Sequence, residues 1–154
     1  MYDLFKELKT VAEKLEAEGF PYALCGGLAV GVYGESRGTI DIDLVVEQKD
    51  IDNIISSLLK IGFENFSTPM PLGKGQMPIQ RLIKFGKGES EVLMLDLCMP
   101  DRNQFQEVWK NWQKLPYGDM KIWVLSVRGL IEMKKSRGSA KDLSDIEALE
   151  KKLP

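Results

Sequence analysis

Residues 92–99, Val92-Leu93-Met94-Leu95-Asp96-Leu97-Cys98-Met99, are apolar at every position but one. A half-exposed strand would alternate apolar with polar. An unbroken run fits an interior strand covered on both faces of a sheet. The fold must therefore surround this segment with further strands and with helices. Asp96 is the exception. An ionised carboxylate in so apolar a strand is costly unless it is paired, bound to metal or carried to solvent at a strand end. Val92, Met94 and Cys98 share its face, so its compensation must come from another element. An arginine such as Arg81, a metal ion and open solvent all stand as candidates.

Asp41 and Asp43 lie two apart in 39–47, a predicted strand whose Ile40, Ile42, Leu44 and Val46 form one apolar face. Their side chains leave the other face, with Thr39, Val45 and Glu47. Their Cα atoms are then roughly 6.5–7 Å apart. Two carboxylates at that reach can share one cation, or bracket two metals about 3.5–4 Å apart. A polar outer face is the plain alternative. Yet aspartate is a poor strand former, and two of them among β-branched residues call for a reason. If the strands at 39–47 and 91–99 are neighbours, Asp41, Asp43 and Asp96 make a site for a hard cation.

Gly26 and Gly27 follow a short apolar strand at 22–25 and precede a short helical segment with Leu28, Ala29, Val32 and Tyr33. Glycine lets backbone N–H groups approach an anion, and a helix N-terminus adds a favourable dipole. A tight turn would use the same glycines. Gly26, Gly27, Gly31 and Gly34 do not fit the dinucleotide G-x-G-x-x-G, and Leu72-Gly73-Lys74-Gly75 lacks the length and the hydroxyl of a Walker A loop.

Composition narrows the chemistry. The 154 residues contain no histidine, which removes His-based triads, His general bases and His-ligated zinc. Cys25 and Cys98 form no metal-ligand motif and read as reduced, buried thiols. A net charge of −2 does not favour nucleic acid as the main partner. A metal here would have oxygen ligands, which suits Mg²⁺ or Mn²⁺. The first residues show no signal-peptide core, and no apolar run approaches the ~18 residues of a membrane span. The expectation is a cytoplasmic protein with no membrane partner.

The remaining pattern alternates helix and strand. Leu4, Leu8, Val11 and Leu15 predict a helix over 2–18, closed by Gly19 and Pro21. Asp50 is placed as the N-cap of a helix over 51–61 with Ile51, Ile54, Ile55, Leu58 and Leu59 inward. A short strand is expected at 63–66, a loop at 67–78, and a strand at 79–85 that turns at 86–89 into the 91–99 strand. Asp101 is expected to cap a helix reaching 113, with Phe105, Val108, Trp109 and Trp112 as its apolar side. A strand at 121–125, a helix at 126–135 and a last helix at 140–151, with Leu143, Ile146 and Leu149 inward, complete the chain. The tryptophans read as core rather than as base-stacking platforms. The predicted class is α/β (α+β): a mixed sheet flanked by helices with a helical C-terminal segment, in one domain spanning 1–154.

Taken together, the strand before Gly26-Gly27-x-Ala29, the short helix, Tyr33-Gly34-x-x-Arg37-x-Thr39 and Asp41-Ile42-Asp43-Leu44 resemble the minimal nucleotidyltransferases of the polymerase-β-like superfamily. The likeness is strongest to the abortive-infection and antibiotic-nucleotidylating branch. Asp96, in a strand after a hairpin, matches that family's third carboxylate. Leu125-Ser126, Leu130-Ile131, Met133-Lys134, Arg137 and Lys141-Asp142-Leu143-x-Asp145-Ile146 match its C-terminal part. The resemblance covers about residues 20–150. It implies a nucleoside triphosphate bound with Mg²⁺ (or Mn²⁺), with Gly26, Gly27, Arg37 and Lys134 at the phosphates and Asp41, Asp43 and Asp96 holding metal. The acceptor would be a hydroxyl of a small molecule, a protein or an RNA end. Many relatives place a serine by the second glycine, whereas Leu28 stands here, leaving that contact to backbone N–H groups. The resemblance also leaves open a catalytically silent nucleotide-binding module, and a toxin-type component acting with a protein partner or as a homodimer.

Overall fold

Leu8, Val11, Ala12 and Leu15 recur on one side of helix α1 (Leu4–Ala17), and all four are buried. Asp3 caps its start by accepting from the Lys6 N–H, and Gly19, at φ 78°, supplies the left-handed turn just beyond its end. The computed structural model describes residues 3–34, 41–66, 70–72, 77–86, 88 and 91–154. After α1 come β1 (Tyr22–Cys25), α2 (Gly26–Val32), β2 (Asp41–Val46), a 3₁₀ turn (Gln48–Asp50) and α3 (Ile51–Leu59). Then follow β3 (Glu64–Asn65), β4 (Met70–Leu72), β5 (Met77–Phe85), β6 (Val92–Cys98), β7 (Gln113–Tyr117), β8 (Met120–Val124), α4 (Val127–Arg137) and α5 (Ala140–Glu150).

The eight strands form one mixed sheet in the order β3-β5-β6-β2-β1-β8-β7, with β4 paired to β5. The apolar run is the interior strand β6, lying between β5 and β2, with Leu93, Leu95 and Leu97 buried. β2 runs parallel to β6 and antiparallel to β1. Tyr22 pairs with Val46, so it shares the face of Ile42, Leu44 and Val46, and its hydroxyl donates to Glu16 of α1 at 2.7 Å. That bond places α1 over the apolar face of β2. The opposite face carries Asp41 and Asp43 and is covered by α4. The predicted class, a mixed sheet flanked by helices, is what the chain forms.

Several elements differ from the sequence expectation. The segment 101–112 is a series of turns and bends rather than a helix, and Gln113 already begins β7. Asp101 does act as a cap, accepting from the N–H groups of Asn103 and Gln104. The helix does not propagate, because the Trp112 indole takes the Val108 carbonyl and Asn111 adopts a left-handed φ of 58°. Strand β7 is absent from the sequence expectation; it contains Pro116, and as an edge strand it tolerates the missing N–H. Of the predicted loop at 67–78, residues 70–72 form β4 and 77–78 begin β5, while 67–69 and 73–76 lie outside the described residues. Asp50 makes no side-chain cap bond. Leu59 and Leu143, expected inward, are exposed. No helix among the described residues is long and apolar enough to cross a membrane.

Candidate active site

One transverse row of the sheet is lined with ionisable side chains. Cys25 on β1 pairs with Asp43 on β2, Asp43 with Asp96 on β6, and Asp96 with Arg81 on β5. In-register neighbours project from the same face, and Asp41, two residues before Asp43, lies on it too. Asp41, Asp43 and Asp96 therefore stand on one face of two adjacent strands.

Their packing explains the glycine before them. Gly26 adopts φ 70°, and a Cβ there would meet the Asp43 Oδ2 at 2.2 Å. Glycine is thus required both by the backbone and by the carboxylate that folds back against it. Gly26 and Gly27 open α2 itself rather than preceding it, and the Cys25 N-cap supplies no side-chain bond to the first turn. The leading N–H groups of this helix have no side-chain cap.

The carboxylates repel one another. Burial, then Asp96 and Asp41, pushes Asp43 up to about 7, against the opposing pull of Arg137 and Lys134. Burial and Asp96 also raise Asp41, while Arg81 lowers it. Asp96 is the best compensated of the three: the Arg81 Nε donates to its Oδ1 at 2.8 Å and Nη2 to its Oδ2 at 2.9 Å. This bidentate fork raises the Arg81 pKa further. With both Asp96 oxygens engaged, no group of three His, Cys, Asp or Glu residues among those described is arranged to hold a metal ion. The three aspartates share one face of neighbouring strands, and the ion-pair alternative for Asp96 is the contact observed.

Helix α4 closes the site from above. Ser126 caps it by accepting from the Gly129 N–H at 3.0 Å, and left-handed Gly138 ends it. Lys134 is buried on its inner side, with Nζ 3.0 Å from the Asp145 Oδ2 and 3.8 Å from the Asp142 Oδ1. The Arg137 Nε lies 3.2 Å from the Asp142 Oδ2. Burial opposes ionisation of Asp142, but the Ser139 hydroxyl, Arg137 and Lys134 prevail and hold it below the usual range. Gly26, Asp43, Asp96, Lys134 and Arg137 line a cavity of about 50 Å³ between sheet and helix. That space suits an ion with a little water. It is far below the roughly 300 Å³ at which small-molecule pockets begin, so a nucleoside would have to sit outside it.

The structure thus brings together Gly26, Asp41, Asp43, Asp96 and Lys134, with Gly27 beside them at the start of α2. Arg37 lies outside the described residues. Cys25 and Cys98 are free and buried, as expected; a contact with Cys98, then burial, raises the Cys25 thiol pKa. The sequence reading treated Arg81 only as one partner for Asp96. The signal was available: four residues back from Phe85 and four forward from its partner Val92 lie Arg81 and Asp96.

Three carboxylates on one face, two of them raised by burial and by neighbouring carboxylates, are oxygen donors of the type a divalent cation takes. The glycine that lets Asp43 fold inward fits it sterically.

A family model described as "Nucleotidyltransferase of unknown function (DUF6036)" matches residues 1–151. Among solved structures, ANT(2″)-Ia in complex with adenylyl-2″-tobramycin matches with a TM-score of 0.68 at 12% identity, over 99% of this chain and 91% of that one. The lincomycin-bound lincosamide antibiotic adenylyltransferase LnuA matches with a TM-score of 0.64 at 24% identity, over 94% and 95%. A candidate nucleotidyltransferase from Thermotoga maritima matches with a TM-score of 0.60 at 13% identity, over 98% and 94%. No curated protein matches the chain by sequence. At these identities the likenesses establish the fold.

Proposed function

The chain belongs to the DUF6036 family of nucleotidyltransferases, and on that premise we propose that it moves a nucleoside monophosphate from a nucleoside triphosphate to a hydroxyl acceptor, using Mg²⁺ (or Mn²⁺). The observation that carries this reading is the in-register placement of Asp43 and Asp96, with Asp41 on the same face. Asp41 and Asp43, with Asp96, would hold the cation. When bound, such a cation neutralises charge on the attacking and leaving oxygens.

The chain's own groups do the rest. The N–H groups of Gly26 and Gly27 receive phosphate oxygens at the start of α2. Lys134, aimed into the cavity by Asp145 and Asp142, offsets phosphate charge, and Arg37 is assigned the same task. Asp96 orients the acceptor hydroxyl and takes its proton. The acceptor oxygen bonds to the α-phosphorus as the bond to the bridging oxygen breaks, and pyrophosphate departs. The nucleoside and acceptor lie outside the small cavity. A small molecule, a protein hydroxyl and an RNA end all satisfy this chemistry.

A nucleotide-binding module without turnover is the second reading, and the closed fork between Arg81 and Asp96 favours it. Incubation with α-labelled triphosphates, Mg²⁺ and cell extract separates the two. Label transferred by the wild type and not by Asp96→Asn supports the transferase. Binding without transfer, for every nucleotide and several extracts, supports the module.

A further inference from the structure

Arg81 already engages the carboxylate assigned as the third metal ligand. Its Nε and Nη2 take one oxygen each of Asp96, so each oxygen already accepts a charged hydrogen bond that a cation would have to share or displace. The Asp96 side chain is 10% exposed, whereas that of Arg81 is 31% exposed. Arg81 is therefore the more solvent-accessible partner of the pair. Arg81 also feels Asp41 and Asp43, so it serves as counter-charge to the whole cluster.

We propose that Arg81 is a resident counter-cation that competes with the divalent metal for Asp96 and couples metal uptake to triphosphate binding. The inference rests on the proposed metal role of Asp41, Asp43 and Asp96. Metal arriving alone displaces the guanidinium from Asp96 and brings it no anion in exchange. Metal arriving with a triphosphate offers the released guanidinium phosphate oxygens, which its planar fork pairs bidentately. Arg81 thus weakens binding of metal alone and strengthens binding of metal with nucleotide. It is a positioning residue: it acts through Asp96 and through the phosphates. By linkage, triphosphate affinity must rise with metal by the same factor as metal affinity rises with triphosphate.

The test is Mn²⁺ binding, followed by the electron paramagnetic resonance of free Mn²⁺, with and without a non-hydrolysable triphosphate. The proteins are wild type, Arg81→Gln, Arg81→Lys and Asp43→Ala. Arg81→Gln is expected to bind Mn²⁺ alone about tenfold tighter than wild type and to lose most of the nucleotide-induced gain, within the usual span of coupling factors. Arg81→Lys, which keeps the charge and loses the fork, is expected between them; it decides the matter if the glutamine variant does not fold. Unchanged or weaker Mn²⁺ binding in these variants, with the nucleotide gain retained, overturns the proposal and leaves a purely structural ion pair. Asp43→Ala separates the premise: if it binds Mn²⁺ as wild type does, the metal site itself is misassigned.

Discussion

Replacing Asp43 by asparagine should stabilise the metal-free protein at alkaline pH. Asp43 is pushed up to about 7 from its ordinary 3.8 by burial and by Asp96 and Asp41. Between those values the folded protein keeps a proton that the unfolded chain has lost, so stability falls as pH rises through the interval. Below the lower value both states are protonated and the effect vanishes. Above about 7 it is complete. A shift of about three pH units at ~1.4 kcal/mol each gives an upper value near 4 kcal/mol; allowing for relaxation and water entry, about 2–4 kcal/mol is expected. For a chain of this length a kcal/mol moves Tm by about 2–4 °C, so Asp43→Asn should melt roughly 5–15 °C higher at alkaline pH. Thermal melts of both proteins with a chelator, from about pH 5 to about pH 8.5, measure the difference across the titration. The gap should open with pH and shrink when Mg²⁺ is added, because the cation stabilises only the wild type. Parallel melting curves across the whole range would refute the reasoning.

Three further outcomes follow from particular contacts. Gly26→Ala, whose Cβ would meet the Asp43 carboxylate at 2.2 Å, should abolish metal-dependent triphosphate binding in a calorimetric titration while the circular dichroism stays native. Lys134→Ala removes the lysine from buried Asp142 and half-buried Asp145 while Arg137 and Ser139 still hold Asp142, and denaturant melts should show a loss of about 1–3 kcal/mol. Gly118→Ala places a Cβ 2.1 Å from the Phe5 ring at φ 64°; it should lower Tm yet leave triphosphate affinity in the surviving folded protein unchanged, since this turn is remote from the carboxylate row.

What the sequence disclosed follows from how local each signal is. The period-2 placement of Asp41 and Asp43, and the burial of Asp96 in an apolar run, depend only on strand geometry and were legible. That β2 and β6 are neighbours depends on topology, and stood in the sequence reading only as a condition. The fork between Arg81 and Asp96 follows from hairpin register, which needed the residues of the turn to be counted as paired. The 101–113 segment misled because its start is genuine. Asp101 caps the first N–H groups, but Trp109 and Trp112 donate to the Pro100 and Val108 carbonyls and divert the chain from helix. β7 was hidden because its pattern, Gln113-Lys114-Leu115-Pro116-Tyr117, is acceptable only at an edge. Leu143 lies in the amphipathic pattern of α5 yet faces solvent, since Ser139, Asp142 and Arg137 fix that helix start through polar contacts.

The central claim is that Asp41, Asp43 and Asp96 bind a triphosphate through a divalent cation. Isothermal titration of a non-hydrolysable triphosphate into wild type and Asp43→Ala, each with Mg²⁺ and with chelator, tests it most directly. The account predicts that Mg²⁺ strengthens binding to wild type by at least about tenfold, the usual scale of such coupling, and leaves Asp43→Ala unaffected. Equal affinity in all four titrations would contradict it.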